Sequence, residues 1–334
     1  MTPDLYPWQQ SQWARLGDAI EKDRLPHALL LAGQSGLGME EFALSIAAKL
    51  LCSDAGSGQA CGKCKSCLLF LAGNHPDISR IAPEEPGKQI KVDAIRELIR
   101  FIQLSSQYGR GKIAVIVPAE AMNRSAANSL LKTLEEPPAG SVFILIAHQP
   151  SFLPVTIRSR CQRFNFAQTY HESTIQWLAA RTGSDAEQAG DLLVLSQGRP
   201  LQAESLIEND TIASRNQVLA DLDQINQVAT DVVKIAQRWH DYGATEVLLW
   251  IMSYLGAMAR LKLHKHGQVA GLSALNRDLQ RIANGLDLYQ LVCCYDLAFQ
   301  NYRSITGPYN LNQTGLLEEF IVYWQSTRAR DGRR

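Results

Sequence analysis

The sequence lacks a surplus of charge of either sign. Its 334 residues carry 33 basic and 33 acidic side chains, so the net charge is zero. A neutral chain is not coated for nucleic acid, and any DNA contact must come from a local patch or be shared with partners. What basic excess there is, 18 residues against 15 acidic ones, falls in residues 1–165. A long apolar run is also missing. The longest, Val247 to Leu261, is broken by Ser253 and Gly256 and falls short of the ~20 residues of a membrane span. It reads as a buried helix. Met1 to Gln12 is polar and offers no apolar stretch of a secretory signal. Cysteine is scarce and odd in number: seven in all, four of them clustered. Together these features predict a cytoplasmic protein without membrane contact, holding a metal site rather than a disulfide framework.

Hydrophobic residues make up 46% of the chain, which is ordinary for a globular protein and excludes disorder. The length calls for two or three domains. His27 to Gly33 (HALLLAG) reads as a buried strand entering a tight turn, and Met39 to Leu51 follows with a helical period. Lys112 to Val117 and Val142 to Ala147 read as further parallel strands. Between them, about Asn123 to Glu136 forms a helix that Asn123 or Ser125 can cap and Pro137-Pro138 stops. This is a βαβ crossover. Val92 to Leu104 is another amphipathic helix. After Phe166 only helical periodicity remains, for example Val228, Val232, Ile235 and Trp239. Turn signals at Gly198-Arg199-Pro200 and Gly307 to Asn310 subdivide it. The fold expected is α/β plus all-α: an α/β domain at 1–166, a small helical domain at 167–207 and a larger one at 208–334.

Gly33 to Glu40 (GQSGLGME) has the shape of the phosphate-binding loop G-x-x-x-x-G-K-[ST]. Gly33, Gly36 and Gly38 stand where the backbone must turn and offer N–H groups. Met39 replaces the lysine that meets the β and γ phosphates, and Glu40 replaces the hydroxyl that ligates Mg²⁺. A carboxylate beside a triphosphate is repulsive without a metal between them. The strand Lys112 to Val117 ends without the acidic residues a working ATPase places there. Glu120 comes later and reads as solvated surface. Two independent losses predict no intrinsic ATPase and no ATP bound by this loop; an ordinary strand-to-helix turn is the plainer reading of the same shape.

Cys52, Cys61, Cys64 and Cys67 form C-x8-C-x2-C-x2-C. Four thiolates at this spacing close a tetrahedral, structural Zn²⁺ site, with an iron–sulfur cluster as the rival occupant. The module spans about 52–67. His75 is near enough to be a spare ligand, although its His-Pro-Asp turn suits a loop role. Cys161, Cys293 and Cys294 read as core or junction residues.

Leu130 to Pro138 (LLKTLEEPP) and Val155 to Cys161 (VTIRSRC) resemble signatures of the AAA+ clamp-loader family, which includes bacterial gamma/tau and eukaryotic replication factor C. The cysteine module after the first helix is similar to that of bacterial members. Asn74 to Asp77 (NHPD) and Tyr6-Pro7-Trp8 look like the subunit of the bacterial complex that has lost its own ATP site. The resemblance covers the first 166 residues and continues faintly into the C-terminal helices. It implies an AAA+ P-loop-type domain with a zinc module, a helical lid and a C-terminal collar that oligomerises. Departures from gamma/tau fall at Met39-Glu40, at Val117-Pro118, at the sensor position Ala147 or His148, and at about Leu201, whereas Ser159-Arg160-Cys161 is retained.

The resemblance therefore implies a non-catalytic subunit of DNA polymerase III, a DNA-directed DNA polymerase and so a nucleotidyltransferase. Gamma/tau and delta would be ring partners. The complex would place the beta sliding clamp on primer-template DNA during replication. Arg160, flanked by Ser159 and Cys161, would be an arginine finger acting in trans; spacing alone gives an edge arginine paired with a surface carboxylate. Three other readings stand beside this one. An independent P-loop ATPase needs a lysine that is absent. A gamma/tau paralogue is disfavoured by the four departures. A zinc-dependent nucleic-acid module needs a basic surface where only Lys63 and Lys65 are available.

Overall fold

The computed structural model describes residues 5–22, 24–54, 58–85, 87–208, 212–225, 231–263, 274–307 and 311–329. The chain divides into two units, Met1–Thr169 and Tyr170–Arg334.

The first unit is a five-stranded parallel sheet between two layers of helices. Its elements are α1 (Gln10–Glu21), β1 (Ala28–Ala32), α2 (Met39–Leu51), α3 (Lys65–Leu71), β2 (Ile78–Ile81), α4 (Val92–Gln103), β3 (Lys112–Ile116), α5 (Arg124–Glu135), β4 (Ser141–Ala147), α6 (Val155–Arg158) and β5 (Gln162–Asn165). The strand order is β2-β3-β4-β1-β5. β1 and β3 are buried along their whole length and β4 nearly so, as strands covered on both faces must be. Leu30, Leu145, Ile95, Leu98, Leu130 and Leu134 pack one face through α4 and α5. Leu29, Ile144, Leu16, Phe42 and Ile46 pack the other through α1 and α2. These three strands and the helices α2, α4 and α5 lie within a residue or two of their expected bounds. β2 and β5 are strands that the sequence did not announce. They are short, polar edge strands, each paired on one side only.

The register fixes the two edges of the sheet. β1 ends at Ala32, opposite Ala147 of β4 and Asn165 of β5. The glycine loop leaves from this carboxyl edge. β5 begins at Gln162 opposite Leu29, so the residues just before it lie at the amino edge. At ~3.3 Å per residue the five-residue strand β1 separates the edges by ~13 Å.

The second unit is helical. Its described elements are α7 (Glu172–Thr182), α8 (Ala186–Leu195), α9 (Pro200–Glu208), α10 (Ile212–Gln224), α11 (Val232–Asp241), α12 (Ala244–Leu263), α13 (Ala274–Asn284), α14 (Leu288–Ile305) and α15 (Gln313–Ala329). The segments expected as 167–207 and 208–334 both fall in this unit apart from residues 167–169, and they share one apolar core running from Leu178 and Leu193 to Trp239, Tyr254 and Trp324. Buried Arg215 helps tie them: its Nη2 donates to Leu195 O, 2.9 Å, and to Ser253 Oγ, 2.9 Å. The turn at Gly198 is present, with Gln197 and Gly198 both at positive φ. Val228 and the turn residues Pro308 to Asn310 lie outside the described residues. Among those described, no helix is long and apolar enough to cross a membrane.

Candidate functional site

The glycine loop is built as its shape suggests, and its end at Leu37 and Gly38 is packed against the chain's own segment Tyr6 to Gln9. Gly36 and Gly38 take positive φ, 87° and 74°, a region glycine enters without steric cost. Gly38 also admits a close approach: a Cβ there would lie 2.5 Å from the Tyr6 ring and 2.8 Å from Gln9 Nε2. Gln9 is fully enclosed and donates to Leu37 O, 3.0 Å, and Gly38 O, 2.7 Å. Trp8 Nε1 donates to Leu37 O, 3.0 Å, and stacks on Tyr6 with ring centroids 4.7 Å apart. Met39 is buried in the core with Phe42 and Leu37. Glu40 pairs with Arg80 of β2, 2.6 Å. The two residues that replace lysine and hydroxyl are thus committed elsewhere, one to the core and one to an ion pair.

Glu120 corrects the sequence reading. It is not solvated surface: Glu120 Oε1 accepts the N–H groups of His148, 2.9 Å, and Gln149, 2.8 Å, and Oε2 is enclosed. The carboxylate turns back to satisfy the backbone just beyond β4, a contact 28 residues away in sequence that periodicity cannot announce.

The four sulfurs of Cys52, Cys61, Cys64 and Cys67 all lie within 4.8 Å of one another. Cys52 and Cys64 are 4.0 Å apart and Cys61 and Cys67 3.9 Å. A tetrahedron with ~2.3 Å metal–sulfur bonds has edges of about 3.8 Å, so the set suits one ion. A multi-iron cluster puts its iron atoms between the sulfurs and holds them further apart. Backbone N–H groups of Cys61, Cys64 and Cys67 point at the sulfurs of Cys52, Cys61 and Cys64, each at 3.4 Å. Cys52 ends α2 and Cys64 caps α3.

His75 is not a ligand. Asp77 N donates to His75 Nδ1, 3.1 Å, His75 Nε2 meets Ser66 Oγ at 2.8 Å, and Ser66 Oγ donates to Leu51 O, 2.6 Å. This order requires a neutral imidazole protonated on Nε2, and burial holds its pKa below the ordinary value. Asp77, fully enclosed, accepts from Ser106 Oγ, Gln107 N, Tyr108 N and Lys112 Nζ at 2.9 to 3.2 Å. The loop role suggested by His-Pro-Asp is thus a buried network joining the cysteine knuckle to residues 106–108.

Arg160 sits between α6 and β5, at the amino edge of the sheet, opposite to the glycine loop. Its Nε donates to Glu135 Oε1, 2.8 Å, its Nη2 reaches the same oxygen, and its Nη1 donates to Thr156 O, 2.8 Å. The carboxylate pairing expected from spacing alone is therefore present. Ser159 Oγ donates to Thr156 O, 3.2 Å. Cys161 packs against the core of α4 and α5, and burial pushes its thiol up to about 12, so it anchors the triplet while the arginine stays at the surface. The sensor position Ala147 is a buried strand end, and Leu201 lies on α9 of the second unit.

Comparison with known proteins follows the same division. A family model described as DNA polymerase III, delta subunit, matches residues 8–170, and one described as DNA polymerase III, delta subunit, C terminal, matches residues 209–326. DNA polymerase III subunit delta' of Pseudomonas aeruginosa is 35% identical over 97% of this chain and 98% of its own length. The protein of that name from Yersinia pestis is 32% identical over 96% of this chain and 95% of its length. Among solved structures, a DNA polymerase III gamma subunit-related protein of Thermotoga maritima is 19% identical, covering 95% of this chain and 99% of that one, with a TM-score of 0.46.

Proposed function

The chain belongs to the DNA polymerase III delta' family, and from that premise we propose that it is the clamp-loader subunit that hydrolyses no ATP and lends Arg160 to the ATP site of a gamma/tau neighbour. The observation that carries the reading is topological. Arg160 lies at the amino edge of the parallel sheet and the glycine loop at the carboxyl edge, so a guanidinium displayed there serves a site outside its own fold. The first unit is then the AAA+ domain, residues 167–207 a lid and residues 208–334 the collar by which the chain joins gamma/tau and delta. The beta clamp and primer-template DNA are engaged through the assembled complex.

An inert loop follows from the same arrangement. Met39 offers no ammonium, Glu40 adds repulsion unless Arg80 neutralises it, and Tyr6 and Gln9 press on Gly38. The isolated protein should neither bind ATP with micromolar affinity nor release phosphate, by calorimetric titration with Mg²⁺ and a turnover assay. Micromolar binding or measurable turnover sinks this part of the proposal.

The four cysteines hold one structural Zn²⁺, which supplies a cross-link between the end of α2 and the start of α3. Protein purified without added metal should carry close to one equivalent of zinc. Cys64→Ser should lose most of it and lower the Tm, while the parallel sheet still folds, because the module is an insertion between α2 and β2. Iron with visible absorbance, or wild-type metal content in the variant, would contradict this.

A further inference from the structure

We propose that Glu135 is a positioning residue for Arg160: it fixes the plane of the guanidinium so that its remaining N–H edge is presented to the phosphates of a neighbouring subunit's nucleotide. The inference rests on the trans-arginine reading above and goes beyond it by naming what orients the finger.

Glu135 stands at an electrostatically poor place. It is the last residue of α5, where the helix dipole is negative and a carboxylate is disfavoured. Glu136 follows it, and Pro137 keeps Glu136 out of the helical region, at φ −124°, ψ 73°. The end of the helix does not need this side chain, because His27 Nε2 bonds Leu134 O at 2.9 Å. Nor does the pair serve stability to any extent: its side chains are 33% and 49% exposed, and exposed ion pairs contribute little. An unfavourable residue held in place at a surface invites a role in the site it touches.

The contacts define that role. Both Nε and Nη2 of Arg160 go to one oxygen of Glu135, on one edge of the guanidinium plane. Nη1 is held from α6 by Thr156 O at 2.8 Å and, more loosely, by Ser159 Oγ at 3.4 Å. Two elements therefore clamp a side chain that otherwise carries large rotamer entropy. At least one of its five N–H groups stays free, and the long Ser159 contact is readily exchanged. A cation held in advance needs no ordering when charge develops on a transferring phosphoryl group. The requirement is for an acceptor oxygen, so the amide of glutamine should serve nearly as well as the carboxylate.

The test uses reconstituted clamp loader with beta clamp and primed DNA, measuring stimulated ATPase. At the one site that Arg160 serves, Glu135→Ala should lower the turnover number about tenfold with KM for ATP unchanged, Glu135→Gln should keep most of the wild-type rate, and Glu135→Ala should add nothing in an Arg160→Ala background. Metal content and assembly of each variant should match wild type. A wild-type or raised kcat for Glu135→Ala, a glutamine variant as slow as alanine, or a further loss on top of Arg160→Ala would overturn the inference while leaving the arginine finger standing. If Arg160→Ala itself turns over at the wild-type rate, the finger reading fails and this inference fails with it.

Discussion

Asp77→Ala should lower the unfolding free energy of the first unit by about 3–5 kcal/mol, the cost of leaving one member of a buried charge pair without the other. Lys112 is 5% exposed and its Nζ, 3.2 Å from Asp77, also lies 4.1 Å from the centre of the Phe101 ring. The variant leaves that buried ammonium with Pro76 O, 3.3 Å, and the Phe101 ring but no carboxylate, and it leaves the N–H groups of Gln107 and Tyr108 without their acceptor. Against a typical total of ~5–15 kcal/mol this is a large share. The double variant Asp77→Ala/Lys112→Met should be more stable than Asp77→Ala alone, because replacing both partners removes the uncompensated charge. Denaturant midpoints of the wild type and these two variants decide it. A double variant as unstable as the single one would mean that packing, not charge, carries the effect.

The same network sets a pH dependence. Burial holds the His75 imidazole below its ordinary 6.5; Asp77 opposes the shift and Lys112 adds to it. Burial alone would lift the Asp77 carboxyl, but the N–H groups of Gln107 and Tyr108, the Ser106 hydroxyl and Lys112 hold it below its ordinary 3.8. Both groups bind protons more readily when unfolded. The stability they contribute is therefore full above about pH 6.5 for His75 and above about 3.8 for Asp77, and it is lost as the pH falls through each folded value. The wild-type midpoint should fall on acidification from about pH 6.5.

What the sequence could convey depended on where each residue ended up. β1, β3 and β4 lie in the middle of the sheet, so each is an unbroken apolar run that declares itself. β2 (ISRI) and β5 (QRFN) lie at the edges, half or more of their residues are polar, and composition gives no sign of them. The clustering of the four cysteines was legible because two tight two-residue spacings bring thiols together through local turns. Glu120 was misread because the N–H groups that donate to it come from beyond β4, and no local pattern encodes that. Arg160 could be found by motif, but its position on the far edge from the glycine loop depends on β5 pairing with β1, which only the fold supplies. Glu135 carried a signal that is clear once sought: an acidic residue at the wrong end of a helix, just before a proline stop.

Arg160→Ala should produce the largest functional effect. A phosphoryl group in transfer spreads negative charge over its oxygens, and a guanidinium meets it with a planar fork that stays charged at any working pH. Trans arginines contribute ~10³–10⁵ in rate. The variant should fold, keep its metal and assemble, since Arg160 is a surface residue whose ion pair is partly solvated. Hydrolysis at the one neighbouring site should nearly stop. Arg160→Lys should recover little, because a point charge cannot reproduce the fork. Arg158→Ala and Arg163→Ala, on α6 and β5, should be milder. The most direct measurement is the rate at which complexes carrying Arg160→Ala load clamps onto primed DNA under limiting ATP: a large loss with intact assembly is the predicted result, and loading at the wild-type rate would contradict the account and leave this subunit a scaffold alone.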